Sequence, residues 1–405
     1  MQRYLFLFIG LFILATSYAQ KKNFTYKFYG QVRGDLFYNS RANTETVDGL
    51  FHLYPKDHVY DPNGKDLNST PNGSFYVLYT RLGLDITGPK LGNAETTLKI
   101  EVDFRGSGST YGLIRIRQAY INLDWGKSDV TIGQTWHPLF GNVSPQILNL
   151  NTGAPFQPFN RSPLLRYRYK NKGWETSVAA IWQLQYLSAG PNGKSEEYIK
   201  NSCIPEIYAG IDYKTSKWLV GAGIEILSLK PRIQNTIENK IYKVSERITT
   251  FSPEVHFKYT GNDWLIAGKT LLASNLTQCS MLGGYGVSSI VPQTGEQEYT
   301  PFRNSDSWLN IVYGKKWKPG IFLGYMKNLG TTREIVGPTY GVGVDVAQLI
   351  TANAELTYNL LHWKAGLEYS CSTAYYGTMD KTSGKISDTH AITNHRILGV
   401  IIYFF

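Results

Sequence analysis

The sequence predicts an all-β fold, a transmembrane antiparallel β-barrel of about 16 strands, and three observations predict it. Stretches of about ten residues alternate apolar with polar side chains, the connections between them alternate short with long, and tryptophan and tyrosine recur at the short connections. The composition agrees. The 405 residues include 29 tyrosines and 39 glycines, and after the first residues no apolar run is long enough for a spanning helix, so any apolar surface is dispersed in alternation.

The chain opens with Arg3, the apolar run Leu5 to Ala15, and small residues at Ser17 and Ala19, the pattern of a secretory signal peptide over 1–19. Gln20 rather than cysteine follows, which argues against a lipid anchor. The remaining 20–405 reads as a single barrel domain. In its first strand Phe24, Tyr26, Phe28, Val32, Leu36 and Tyr38 are apolar while Thr25, Lys27, Gln31, Arg33 and Asp35 are polar. The same period of two is cleanest at 94–105, where Leu98, Ile100 and Val102 oppose Lys99, Glu101 and Asp103.

By this rule strands fall at 24–38, 75–87, 94–105, 113–124, 129–136, 164–170, 174–187, 205–213, 218–228, 248–259, 264–273, 307–316, 320–327, 346–360, 363–373 and 394–405. In 113–124 the apolar parity flips between Ile116 and Ala119, which predicts a bulge. Short turns are expected at 88–93, 126–128, 171–173, 214–217, 260–263, 317–319 and 361–362, and the long connections, notably 39–74 and 274–306, face outward. A Tyr-x4-Trp repeat (Tyr169/Trp174, Tyr213/Trp218, Tyr259/Trp264, Tyr358/Trp363) spans four short turns. Amphipathic rings prefer the headgroup zone, so these residues mark one membrane interface. The last strand runs to Phe405, which lets it close on the first.

One connection, 137–163, carries five prolines and no carboxylate, yet seven large apolar residues: Leu139, Phe140, Ile147, Leu148, Leu150, Phe156 and Phe159. It is too apolar for a solvated tail and must pack on something, and the inner wall of the barrel is available. This third outer loop is therefore expected to fold into the lumen as a constriction, with Phe140, Leu148 and Phe156 as its packing face and Arg161 at its end.

Four segments resemble the DcaP-like and general porins of Gram-negative outer membranes: KFYGQVRGDLFYN (27–39), IEVDFRG (100–106), RIRQAYINL (115–123) and VTIGQTWHPLF (130–140). The resemblance implies a sixteen-stranded homotrimer in the cell outer membrane with its third outer loop in the lumen. The terminal aromatic residue likewise resembles the signature read by the barrel-assembly machinery.

A barrel of this size leaves an aqueous channel, whose preference depends on the charges that line it. Strand parity places Arg33, Arg81, Arg115, Arg117, Arg166 and Arg168 on the lumen side as an anion-binding constriction, together with Lys99 and Arg105. Guanidinium forks suit carboxylate and phosphate. Asp35, Asp85, Glu101 and Asp103 share that wall, so neutralising ion pairs are the alternative, but 130–174 has no carboxylate. The formal charge of +10 points to anionic solutes or lipopolysaccharide as partners, with other outer-membrane lipid around the barrel, and nothing points to nucleic acid. No Gly-x-Ser-x-Gly, His-Glu-x-x-His or phosphate-loop motif is present, no enzyme is implied, and no cofactor or metal either: Asp57, Asp61, Asn63 and Asp66 miss the calcium-loop spacing. Three cysteines, Cys203, Cys279 and Cys371, have no spacing that specifies a pair. The reading is a porin for passive diffusion of small hydrophilic solutes, anionic or neutral, biased toward anions such as dicarboxylates. The alternatives are a phosphate- or oligosaccharide-specific channel, a non-conducting structural barrel or adhesin, and an outer-membrane hydrolase.

Overall fold

A computed structural model describes residues 24–46, 50–106 and 112–405; the expected leader lies outside them. Sixteen strands form the barrel. The first eight are β1 (Thr25–Asn39), β2 (Arg81–Leu91), β3 (Ala94–Asp103), β4 (Arg115–Asp124), β5 (Ser128–Trp136), β6 (Arg161–Asn171), β7 (Trp174–Ile181) and β8 (Glu206–Lys214). They continue as β9 (Trp218–Leu229), β10 (Ile248–Thr260), β11 (Trp264–Ser274), β12 (Arg303–Tyr313), β13 (Trp317–Gly330), β14 (Val346–Asn359), β15 (Trp363–Met379) and β16 (Ile386–Phe404). Each pairs antiparallel with its sequence neighbour, and β1 pairs with β16 from Gln31↔Phe404 to Asn39↔Arg396. Closure leaves no open edge, the condition for a sheet in lipid.

Alternation does what the sequence predicts. Along β13 Ile321, Leu323 and Tyr325 are exposed on the outer face, while Phe322, Gly324 and Met326 are buried inside. The expected bulge lies where β4 meets β3: Glu101 pairs with Gln118 and Val102 with Ile116, so Arg117 is the extra residue and both Ile116 and Ile121 still face lipid.

Several boundaries differ. The turn placed at 317–319 is instead 314–316, because Gly314 takes φ +95° and Pro319 sits inside β13, near its start. The strand expected over 75–87 is broken into Asn72–Tyr76 and β2 by a turn in which Thr80 N–H bonds the Val77 carbonyl. The strand read to 187 stops at Ile181, since the Gln183 side chain bonds Ser188 and Glu206 and turns the chain. The outer ends of β15 and β16 run well past the predicted 373 and start before 394, where polar residues above the membrane hide the pattern. The long connection 274–306 contains Gly283–Ile290 and Gln297–Pro301, which join Thr339–Val342 in a small sheet. Cys203, Cys279 and Cys371 are all free thiols.

The tryptophan–tyrosine repeat is real, but its partners cross between hairpins. Trp174 packs against Tyr213, Trp218 against Tyr259, Trp264 against Tyr313, Trp317 against Tyr358 and Trp363 against Tyr403, with ring centroids 4.7–4.8 Å apart and ring planes tilted by 50–60°. Each pair is also directly opposed in the ladder, as Trp174↔Tyr213 shows. The sequence spacing is thus the by-product of a belt in which every hairpin hands its tryptophan to the next.

Candidate functional site

The third outer loop, between β5 and β6, folds into the lumen. Starting from β5, Lys269 Nζ (β11) donates to the Leu139 carbonyl, Lys258 Nζ (β10) donates to the Asn142 carbonyl at 2.8 Å, and the Asn142 amide donates to Asp212 (β8) at 3.1 Å. Further along, the Gln146 N–H donates to Asn310 (β12) at 2.8 Å, that of Leu148 to Glu355 (β14) at 2.6 Å, and that of Asn149 to Glu368 (β15) at 3.1 Å. Arg33 (β1) then donates to the Leu148 carbonyl at 2.7 Å. The loop thus crosses from β8 to β1, each step held by a wall side chain.

The expected packing face is divided. Phe140 and Phe156 join Trp308, Phe322 and Met326 in one buried cluster, whereas Leu148 packs on the other side with Phe37, Leu398, Val400 and Ile402 of β1 and β16. Glycines make room for both. A Cβ on Gly324 would collide with the Phe156 ring, and one on Gly366 with Leu148. Burying each such side chain is worth about 1.5–3 kcal/mol, so the apolar residues that exclude a solvated loop are the ones that fix it inside.

Sequence reasoning missed a second element over the lumen. In the first outer loop Asn43–Glu45 pairs with His52–Pro55, and this hairpin caps the third loop. Phe51 meets Phe159 edge-on at 4.8 Å, and the His52 carbonyl accepts the Asn151 amide at 3.1 Å. The apolar run Leu50-Phe51-His52-Leu53-Tyr54 inside a polar loop was the available signal.

Arg161 stands at the end of the loop. It is the first residue of β6, fully buried, with its guanidinium over Trp136 at 4.8 Å, Phe159 at 5.5 Å and Tyr186 at 5.7 Å, and it donates to the Tyr186 hydroxyl. It is a cation in an aromatic cage, clamping the end of the loop.

The other arginines line the β1–β6 wall as strand parity predicts, but most hold carboxylates on neighbouring strands. Arg115 binds Asp103 at 2.6 Å, and Arg117 binds Glu101 at 2.7 Å and Asp103 at 2.9 Å. Arg168 and Lys170 share Asp129, both at 2.9 Å. Arg33 pairs with Asp35 at 2.6 Å and is spent on the loop. Sharing leaves cations over: among the described residues Arg81 and Arg166 carry no ion pair, and the Nε of each is buried without a partner. Arg166 lines a cavity of about 250 Å³ with Arg168, Tyr120, Tyr208, Asp212 and His256.

The opposite wall is the reverse. Glu206, Glu225, Glu254, Asp306, Glu355 and Glu368 point inward from β8–β15 and are buried, several of them beneath the loop they hold. Glu254 is matched by Lys269 at 2.7 Å, and Glu206 accepts from the Gln183 and Gln278 amides.

No protein-family model matches the chain, and no curated protein matches it. Solved structures do. The outer membrane channel DcaP of Acinetobacter baumannii shares 18% identity over 95% of this chain and 99% of that one, at a TM-score of 0.67. OmpT, an outer membrane protein of Vibrio cholerae, shares 13% over 95% and 99% at 0.57, and the anion-selective porin from Comamonas acidovorans 10% over 94% and 100% at 0.54. The architecture of this chain, a closed barrel of sixteen strands with its third outer loop inside, is the fold of the DcaP-like and general porins.

Proposed function

We propose that this chain is an outer-membrane channel through which small hydrophilic solutes diffuse passively, with a bias toward anions such as dicarboxylates or phosphate. One observation carries the bias: of the inward carboxylates of β8–β15, Glu206, Glu225, Glu254, Asp306, Glu355 and Glu368 are buried and Asp212 is paired with His256, while among the described residues Arg81 and Arg166 carry no ion pair on the opposite wall. A carboxylate passing either gains about 1 to 4 kcal/mol at about 4 Å, depending on local dielectric. The likeness to the anion-selective porin from Comamonas acidovorans agrees with this preference. Export would follow from the leader at 1–19, and insertion from the barrel-assembly machinery reading the terminal strand.

Assembly as a homotrimer has its own support. The paired tryptophan–tyrosine belt runs from β7 to β16, and among the described residues of β1–β6 no tryptophan–tyrosine pair continues it, although Tyr26 and Trp125 are exposed there along with Phe28, Val32 and Leu36. A sector packed against a second copy needs no headgroup belt.

The test is the zero-current potential across a planar bilayer in a tenfold KCl gradient. Chloride preference that shrinks at high salt is expected, since the screening length falls from about 10 Å at 0.1 M to about 3 Å at 1 M. A wild-type channel that prefers potassium would refute the bias.

A further inference from the structure

Between the base of the third loop and the wall from β4 to β10 lies a cavity of about 250 Å³, room for about eight waters at about 30 Å³ each. That volume admits one solute the size of a single sugar unit. Glycines shape its floor. His256 Nε2 (β10) reaches Asp212 (β8) at 3.0 Å across β9, because Gly221, which lies between them in the ladder, has no side chain; a Cβ there would collide with both. Gly210 and Gly223 make way for the Tyr208 ring in the same manner.

The two ends of the cavity carry opposite charge. At one end Arg166 has no ion pair among the described residues: its Nη2 donates to the Thr131 hydroxyl at 3.5 Å and its Nε has no partner. Arg168 beside it is already bonded to Asp129 at 2.9 Å. At the other end stand Asp212 and Glu175, which face each other in the ladder four residues along β7 from Ala179, the neighbour of Arg166. Asp212 accepts from His256 and from the Asn142 amide at 3.1 Å, and Glu175 accepts from Lys214 at 2.7 Å. A carboxylate offers about four acceptor sites, so Asp212 keeps about two for a ligand.

The Arg166 end suits an anion. The Asp212 end can only accept, so it rejects a second carboxylate, and His256, Lys214 and Lys258 already surround it, so it disfavours an ammonium group. A neutral donor, the hydroxyl group, satisfies it. We infer that the cavity is a binding subsite for small hydroxylated monocarboxylates, the sugar acids, with the carboxylate on Arg166 and a hydroxyl group donating to Asp212. The assignment rests on the proposed anion channel and names which entering anions this wall retains, a sugar acid in preference to a bare dicarboxylate.

The experiment is isothermal titration calorimetry of the full mature chain in detergent, with a six-carbon series that separates charge from hydroxyl groups: gluconate, hexanoate, adipate, 6-aminohexanoate and glucitol. Gluconate should bind about tenfold more tightly than any of the others, the scale of one charge-assisted hydrogen bond. Arg166→Gln should weaken gluconate binding by about tenfold. Asp212→Asn, which supplies a donor where the wild type has only acceptors, should bring adipate to within about twofold of gluconate. Any of the other four solutes matching gluconate on the wild type would overturn the assignment, and this arm needs neither variant. Unchanged gluconate affinity in Arg166→Gln, or an unchanged ratio of adipate to gluconate affinity in Asp212→Asn, would overturn it too. Bilayer recording in KCl decides the channel reading separately: a chloride-preferring wild type that binds no gluconate fails this assignment alone, and a wild type that binds gluconate without conducting fails only the channel.

Discussion

The two halves of the barrel wall carry charge in opposite ways. On β1–β6 basic side chains outnumber the acids beside them, so carboxylates are shared and Arg81 and Arg166 are left unpaired. On β8–β15 the inward charges are mainly carboxylates, and most are buried: Glu355 and Glu368 hold the backbone of the third loop, Glu254 is matched by Lys269, and Glu225 and Asp306 are buried without an ion pair among the described residues. The difference shows that a loop rich in apolar residues and free of acid does two things at once. It fills part of the lumen, and it covers Glu355 and Glu368 of the opposite wall.

Removing the loop is the strongest way to break this contrast. Deleting 142–160 should raise single-channel conductance several-fold and, because Glu355 and Glu368 are then uncovered, move selectivity from anions toward cations. A conductance rise with unchanged selectivity in a planar bilayer would show that the acidic wall is neutralised without the loop.

Loosening the loop is next. Phe156→Ala should cost about 3–5 kcal/mol of local packing against Phe322 and Gly324. The expected outcome is a noisier channel and faster protease cleavage within 137–160, both absent from a control at exposed Phe75.

Within the basic wall, paired and unpaired arginines should separate. Arg117→Ala strands Glu101, while Asp103 keeps Arg115, and should destabilise the barrel by about 3–5 kcal/mol, the cost of breaking a buried pair. It should lower the temperature at which the heat-modifiable gel band shifts. Arg166→Ala leaves that temperature alone but should reduce the anion-to-cation permeability ratio by up to about tenfold, one decade per 1.4 kcal/mol. If both variants behave alike, pairing is not what divides structural from solute-facing arginines.

The smallest effect is expected in the first outer loop. Burial alone would raise the Asp66 pKa, but hydrogen bonds from His58, the Val59 and Asn68 N–H groups and Arg41 outweigh it and hold the carboxyl well below the ordinary carboxylate range. A depressed folded-state pKa contributes order that is present above about pH 4 and lost as pH falls through the folded value. Amide exchange over 57–69 should quicken in acid while the barrel strands stay protected. Uniform protection down to pH 3 would mean that Asp66 does not set the order of this loop.

How much was legible beforehand depends on the range of the interaction. Strand count, the short turns, the bulge beside Arg117 and the inward course of the third loop all follow from local periodicity and local composition, because a residue's face in a strand is set by its immediate neighbours. The charge pairing was not legible: 130–174 contains no acid, yet Asp129 and Glu175, just outside it, hold Arg168 at 2.9 and 3.7 Å. Nor did the Tyr-x4-Trp spacing show that Trp174 would meet Tyr213 instead of Tyr169. The sequence by itself determined a barrel, its strand number and a loop that could not stay in water. Tertiary structure alone decided which wall that loop would cover, which arginines would be left without a carboxylate partner, and that residues 50–54 would cap the loop. The physical reason is that these contacts depend on the stagger between strands and on closure of the sheet, which no single strand encodes.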